Sequence, residues 1–200
     1  MAGRRAFLIG GAGFTLGGCW DTPCYERNAK QKAFLAGLQA LAKPALASNN
    51  PLRIEDAAKQ SVGLADQVGG FSEWCGTLKT IEGNAETVAI TIEVGPQISL
   101  YAFNDWKLAM TGSAAGMIAD LFSTRSRESP PPGLSDAAVT ALKAFRLGER
   151  VKLGGRMGAI AGSGLFDLSR LFGKGEAENR QFLQSPRFVA RIESLAPSTQ

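Results

Sequence analysis

The spacing of apolar residues predicts two helices in the first third of the chain. Residues 29–46 carry apolar side chains at helical intervals, and Pro44 is expected to end or kink this helix. Residues 54–68 repeat the pattern, and the glycine pair at 69–70 is expected to stop it. Together the two helices form a predicted helical segment over residues 29–70.

After residue 70 the apolar positions recur at every second residue, which predicts strands. Ile90 and Ile92, for example, alternate with Thr91 as in a half-buried strand. A helix is predicted at 137–147, and the connection at 104–136 has a length that is typical of an insertion. The predicted strands lie at residues 71–81, 88–94, 98–103, 149–157, 166–172 and, as a closing segment, 188–192.

Three strands, a helix and two further strands follow in this order, and two short motifs accompany them. The segment Trp-Cys-Gly-Thr-Leu at 74–78 resembles the first strand of OB-fold domains, in which a glycine permits a sharp coil. Residues 147–156 resemble the passage from the helix into the fourth strand of those domains. The resemblance covers residues 71–171 and implies an α+β protein, in which N-terminal helices precede a small antiparallel OB-like β-barrel with a helix between strands three and four. The barrel domain is predicted at 71–195, with an unrelated small barrel and an α+β sandwich as alternatives.

The amino terminus has the pattern of an export signal. Arg4 and Arg5 precede a weakly apolar, glycine-rich run at 6–18, and no acidic residue occurs before Asp21. This run is too short to cross a bilayer core of about 30 Å as a helix. The arginine pair and the diluted apolar region resemble a twin-arginine signal, which predicts a signal peptide at 1–18.

Residues 16–19, Leu-Gly-Gly-Cys, resemble the lipobox of bacterial lipoproteins. The resemblance implies cleavage before Cys19 and acylation of its thiol, with residues 19–28 as a lipidated tether. The expected partner is then a lipid membrane, and the expected location is the cell envelope, facing the periplasm or the outside. The choice between inner and outer membrane stays open, and the alternative is a buried cysteine near an uncleaved anchor.

The usage of histidine and cysteine limits the chemistry of the chain. There is no histidine, which excludes Ser-His-Asp and Cys-His nucleophile systems and His-ligated zinc. Loss of Arg4 and Arg5 with the leader reduces the formal net charge from +4 to +2. With Cys19 acylated, Cys24 and Cys75 remain, and outside the cytoplasm they are predicted to form a disulfide. Two unpaired thiols are the alternative.

Aromatic and basic residues provide a predicted binding surface. Two aromatic side chains share a face of the third strand, a tryptophan lies in the long connection, and a run of basic residues near the fourth strand is opposed only by Glu149. The alternatives are aromatic packing under a loop and a solvated basic face. The predicted surface consists of Tyr101, Phe103, Trp106, Arg150, Lys152 and Arg156.

These observations favour a non-enzymatic binding or assembly module that holds a protein or glycan partner. One alternative is a nucleic-acid-binding envelope protein in DNA uptake or transfer, which is less favoured because exported proteins rarely meet nucleic acid. Another is a histidine-free hydrolase with two carboxylates, although the acidic residues show no paired spacing. No cofactor and no metal are predicted: the glycine-containing segments at 154–155 and 162–164 are not followed by the lysine of a phosphate loop, and histidine is absent as a ligand.

Overall fold

The computed structural model describes residues 23–84, 87–104, 133–157 and 175–198. Three helices precede the first three strands, and one helix precedes each of the last two strands. The helices are α1 (Cys24–Arg27), α2 (Ala29–Ser48), α3 (Pro51–Val68), α4 (Asp136–Leu142) and α5 (Glu176–Gln184). The strands are β1 (Gly70–Gly83), β2 (Val88–Gly95), β3 (Ile98–Phe103), β4 (Arg150–Met157) and β5 (Arg187–Pro197).

The strands close into a barrel in the order β1-β2-β3-β5-β4, and β4 pairs back onto β1. The predicted α+β class, the OB-like barrel and the helix between the third and fourth strands are confirmed. The expected antiparallel pairing holds for four of the five strand pairs, while β3 and β5 run parallel. A closed ring with an odd number of strands cannot alternate in direction all the way round, so one parallel pair is a geometric necessity.

The interior of the barrel is built from the predicted alternation. Ile90 and Ile92 of β2 are fully buried in the core, and Thr91 between them points outward and is half-buried. Leu100 on β3 and Leu153 on β4 are each 1% exposed and belong to the same core. Complete burial of one such side chain stabilises the fold by about 1.5–3 kcal/mol, so each inward position of this alternation contributes to barrel stability.

The long strand β1 serves two neighbours and bends at a glycine. It pairs with β4 from Gly70 to Thr77 and with β2 from Thr77 onward. A Cβ atom at Gly76 would lie only 2.5 Å from the Cγ2 atom of Ile92 and 2.7 Å from the carbonyl oxygen of Glu93. Only glycine permits this approach, as expected for the coiled first strand of an OB-like barrel.

The end of the barrel differs from the prediction. The strand predicted at 166–172 lies outside the described residues, and the fifth barrel strand is β5, which extends the predicted closing segment in both directions to Arg187–Pro197. The barrel therefore continues beyond residue 171, where the resemblance ended. Helix α5 was not predicted, because only Asn179, Phe182 and Leu183 of its nine residues are buried and its apolar stripe is short.

The helix boundaries also needed correction, most clearly at Pro44. Helix α2 continues through this proline to Ser48, and Asn49 then ends it in the left-handed conformation. A proline inside a helix leaves the carbonyl four residues earlier without its donor. That residue is Ala40, which is exposed like Pro44, so water can satisfy the free carbonyl. Helix α4 ends earlier than predicted, at Leu142.

The N-terminal helices share one core with the barrel. The ring of Phe34 on α2 lies 5.5 Å from that of Trp74 and 5.7 Å from that of Phe188, measured between centroids. Ile54 on α3 is completely buried in the same cluster. The N-terminal helices and the barrel thus share one hydrophobic core.

Candidate functional site

Cys24 and Cys75 form a disulfide with a Cα–Cα distance of 5.7 Å, which confirms the predicted pair. Asn28 reinforces the same connection, because its Nδ2 atom donates to the carbonyl oxygen of Ser72 at 3.1 Å. The predicted tether at 19–28 is therefore, over residues 24–28, fastened to the first strand of the barrel.

A buried glutamine beside the disulfide completes this attachment. The Nε2 atom of Gln31 donates to the carbonyl oxygens of Cys75 and Val94 at 2.6 and 2.8 Å, and its Oε1 atom accepts from the Cys75 amide at 2.9 Å. The side chain is fully buried, and each of these backbone groups would cost about 1–3 kcal/mol if left unpaired. Gln31 thus links α2 to β1 and β2, a role that sequence reasoning missed.

The outward side of β2, β3 and β5, together with the adjoining second half of β1, is called here the front face and has an apolar and a polar part. In the apolar part, Phe103 packs with Ala89 and Val189, and the ring of Tyr101 lies 5.7 Å from the ring of Phe103. Phe103 is only 3% exposed. Of the two aromatic residues of β3 that were predicted as part of a contact surface, only Tyr101 therefore reaches the open surface.

The polar part of the front face forms an open groove, called the front groove, with a volume of about 470 Å³. Tyr101 lies next to Thr91 of β2, and Arg187 of β5 lies next to Ser99. Two cations and two carboxylates line the groove, so its formal charge is balanced. Its lining consists of Lys79, Thr80, Glu82, Thr91, Glu93, Gln97, Ser99, Tyr101, Ser185 and Arg187.

The charged groups of the front groove differ in their partners. Lys79 forms an ion pair with Glu93, with 2.7 Å between Nζ and Oε2. Arg187 is exposed and forms no ion pair with any described residue. Its guanidinium group is consequently the group in the groove best placed to receive a negative charge or a carbonyl oxygen from a ligand.

Tyr101 stays in its neutral form in the front groove. Burial raises the pKa of its phenol above the usual value of 10.0, the nearby carboxylate of Glu82 raises it further, and Arg187 lowers it. The uncharged hydroxyl can donate one hydrogen bond and accept others at neutral pH. Tyr101 therefore offers a ligand a ring face together with a polar tip.

The predicted basic residues lie on another part of the barrel. Arg150, Lys152 and Arg156 alternate along β4 with the buried Val151 and Leu153, so they share the outward side of that strand. In the ring, β4 stands between β5 and β1, away from β2 and β3. The structure does not bring these three cations together with Tyr101, and the predicted surface divides into two separate surfaces.

A second groove of about 580 Å³ lies between the C-terminal half of α2, the β2–β3 turn and the end of α5 with the two residues that follow it. Its lining is mainly apolar and includes Leu38, Ala42 and Leu183, with Lys43 as its one charged residue. It shares Gln97 and Ser185 with the front groove. Although it is larger, fewer reactive or charged groups converge there than in the front groove.

The remaining predicted site residues, Arg4, Arg5, Cys19 and Trp106, lie outside the described residues. Within the described ranges, no helix is long and apolar enough to cross a membrane. The same ranges contain no cluster of three or more acidic or cysteine side chains that could hold a metal ion.

Sequence reasoning missed Lys79, Glu82 and Arg187 as groove residues. The signal for Arg187 was present in β5, where Phe188, Ala190 and Ile192 are buried and the residues between them point outward.

Comparison of the chain with protein-family models, curated proteins and solved structures finds no match.

Proposed function

We propose that this chain is an envelope lipoprotein whose barrel is a non-enzymatic binding module for a protein or glycan partner. A twin-arginine-type signal exports the chain, and Cys19 anchors it to the membrane. The front groove receives the partner. The observation that carries the proposal is this open, charge-balanced groove on strands one, two, three and five, with Tyr101 and Arg187 accessible in it.

The charge of the front groove favours a partner that is not a polyanion. Nucleic acid binding requires several cations along a backbone of phosphates. In the front groove Lys79 is already paired with Glu93, which leaves Arg187 as the cation without a carboxylate among the described residues. Hydroxyl, amide and carboxylate groups instead provide hydrogen bonds for a peptide or a sugar chain.

The same pairing weighs against a hydrolase. A two-carboxylate mechanism needs one acid to give up or accept a proton beside the other. Of the two acidic groove residues, Glu93 forms an ion pair with Lys79 at 2.7 Å. Glu82 and Glu93 belong to opposite ends of the β1–β2 strand pair. The groove is thus better suited to holding a ligand than to cleaving it.

Membrane attachment is expected to depend on Cys19. The Cys19→Ser variant should lose its acyl chains and be released from membranes, because each buried methylene contributes about 0.8 kcal/mol to membrane binding. Replacement of Arg4 and Arg5 by lysine should retain the chain in the cytoplasm with its leader attached. Cell fractionation and mass spectrometry measure both results. An exported protein with an intact leader and an unmodified Cys19 would contradict the proposal.

Ligand contact at the front groove is expected to be visible by photo-crosslinking in living cells. A photoreactive amino acid at Thr91, which lines the groove, should give a discrete adduct, and the same amino acid at the exposed Lys59 of α3 should not. Gel shift and mass spectrometry distinguish a protein adduct from a glycan adduct, which glycan-degrading enzymes remove.

Two arginine substitutions test whether the adduct depends on the charge in the front groove. Arg187→Ala should reduce the Thr91 adduct several-fold, whereas Arg53→Ala, which removes an exposed arginine from α3, should leave it unchanged. Equal adduct yields at Thr91 and Lys59, or an adduct yield that Arg187→Ala does not change, would exclude the front groove as the binding site. An adduct to DNA would favour the nucleic-acid alternative instead.

A further inference from the structure

The outward side of β4, together with its neighbours on β1 and β5, is strongly basic and is called here the back face. Arg156 shares one carboxylate, that of Glu193, with Arg191 at N–O distances of 3.7 and 3.4 Å. Lys152 pairs with Glu73 at 2.7 Å, and Arg150 has no ion-pair partner among the described residues. Among the described residues of β4, its strand neighbours and the start of α2, five cations face two carboxylates: Lys30, Arg150, Lys152, Arg156 and Arg191 against Glu73 and Glu193.

The disulfide lies on this same side of the barrel. Cys75 is the register partner of Lys152 across the β1–β4 pair, so the two side chains point outward from neighbouring positions. Lys30 is held there too, because its ammonium group donates to the carbonyl oxygen of Gly70, the register partner of Arg156. The point at which the N-terminal segment is fixed to the barrel therefore lies beside Lys30 and Lys152, with Glu73 paired to Lys152.

The sequence distance between the proposed lipid anchor and this point is short. Cys19 precedes Cys24 by five residues, which can span at most about 18 Å even when fully extended. An acylated Cys19 would thus hold the disulfide close to the lipid headgroups. Cations within about a Debye length of 8–10 Å from an anionic bilayer are attracted to it.

We propose that the back face docks on the surface of an anionic bilayer and that the Cys24–Cys75 disulfide sets this orientation. The inference rests on the proposed lipid anchor at Cys19. Because β2 and β3 lie across the ring from β4, the docked barrel presents its front groove away from the membrane. The arrangement would leave Tyr101 and Arg187 open to a partner in the aqueous compartment.

Lysine labelling of the lipidated protein tests this orientation. The protein is extracted from membranes of cells that express the full chain and is reconstituted on the outside of vesicles. The vesicles consist of phosphatidylcholine alone or of equal parts phosphatidylcholine and phosphatidylglycerol. An amine-reactive reagent should modify Lys30 and Lys152 several-fold more slowly on the anionic vesicles, and high salt should remove the difference. Lys43 and Lys59, exposed on α2 and α3, should react equally on both.

Two double variants separate docking through the back face from the effect of a lower net charge. Arg150→Gln combined with Arg156→Gln, both at exposed positions, should abolish the protection of Lys152. Lys43→Gln combined with Arg53→Gln removes the same charge elsewhere and should preserve it.

The outcomes distinguish the two proposals. Attached protein with equal labelling of Lys152 on both kinds of vesicle would overturn the docking alone. Absence of attached protein would overturn the lipid anchor and this inference with it. Protection of Lys30 and Lys152 by a single-stranded oligonucleotide in the presence of anionic vesicles would replace the membrane with nucleic acid as the partner of the back face.

Discussion

Replacing Ile92 by aspartate is expected to prevent stable folding, whereas Thr91→Asp should change the melting temperature little. Ile92 is fully buried in the barrel and Thr91 points outward from the same strand. An unpaired carboxylate in the core costs several kcal/mol, a large part of a typical stability of about 5–15 kcal/mol. Circular dichroism of the purified variants measures the difference.

A milder variant keeps this prediction measurable if the aspartate chain cannot be purified. Ile92→Ala leaves a cavity and should lower the free energy of unfolding by about 2–5 kcal/mol. Equal melting temperatures for Ile92→Asp and Thr91→Asp would contradict the assignment of the two side chains to opposite faces. Because the twin-arginine route is expected to carry folded chains, Ile92→Asp should also accumulate in the cytoplasm with its leader, and Thr91→Asp should be exported.

Loss of the disulfide is expected to lower the free energy of unfolding by about 4 kcal/mol in the chain-entropy model. The bond joins residues that are 51 positions apart and therefore closes a long loop of the unfolded chain. Denaturant unfolding should show the midpoint of Cys24→Ser coinciding with that of the reduced wild-type protein. The Cys19→Ser protein, which keeps the Cys24–Cys75 pair, is the matched control and should unfold with the oxidised wild type. A wild-type midpoint that does not respond to reductant would refute the prediction.

The parts of the fold that could be predicted from the sequence depend on local patterns. The alternation of apolar residues defines β2 and β3 without knowledge of their partners, and β3 has the predicted bounds. Gly76 indicated the coil of β1 because a steric requirement acts on neighbouring residues. The fifth strand was harder to place, since its position depends on which distant segment fills the gap between β3 and β4.

The candidate site depends even more on contacts between distant segments, which local sequence patterns do not give. Tyr101 was predicted from its own chemistry, but its neighbour Arg187 comes from a strand that reaches the site only through barrel closure. Conversely, Arg150, Lys152 and Arg156 were grouped with Tyr101 in one surface because sequence alone does not give their positions round the ring. Gln31 was not predicted because a polar residue at the start of an amphipathic helix is normally solvated. Its partners are backbone groups of Cys75 and Val94, which lie where β1 and β2 are not paired with each other.

The parallel pairing of β3 with β5 has a consequence for how the protein is made. Ser99 meets Arg187 across a separation of 88 residues in sequence, so the entropy of closing this loop must be overcome before the contact stabilises anything. During synthesis, β1, β2 and β3 can form a meander early, but the edge of β3 stays unpaired until residues 187–197 have left the ribosome. The last eleven-residue strand then seals both edges at once. A truncation just before Arg187 would therefore leave two unpaired strand edges, the kind of surface through which chains aggregate.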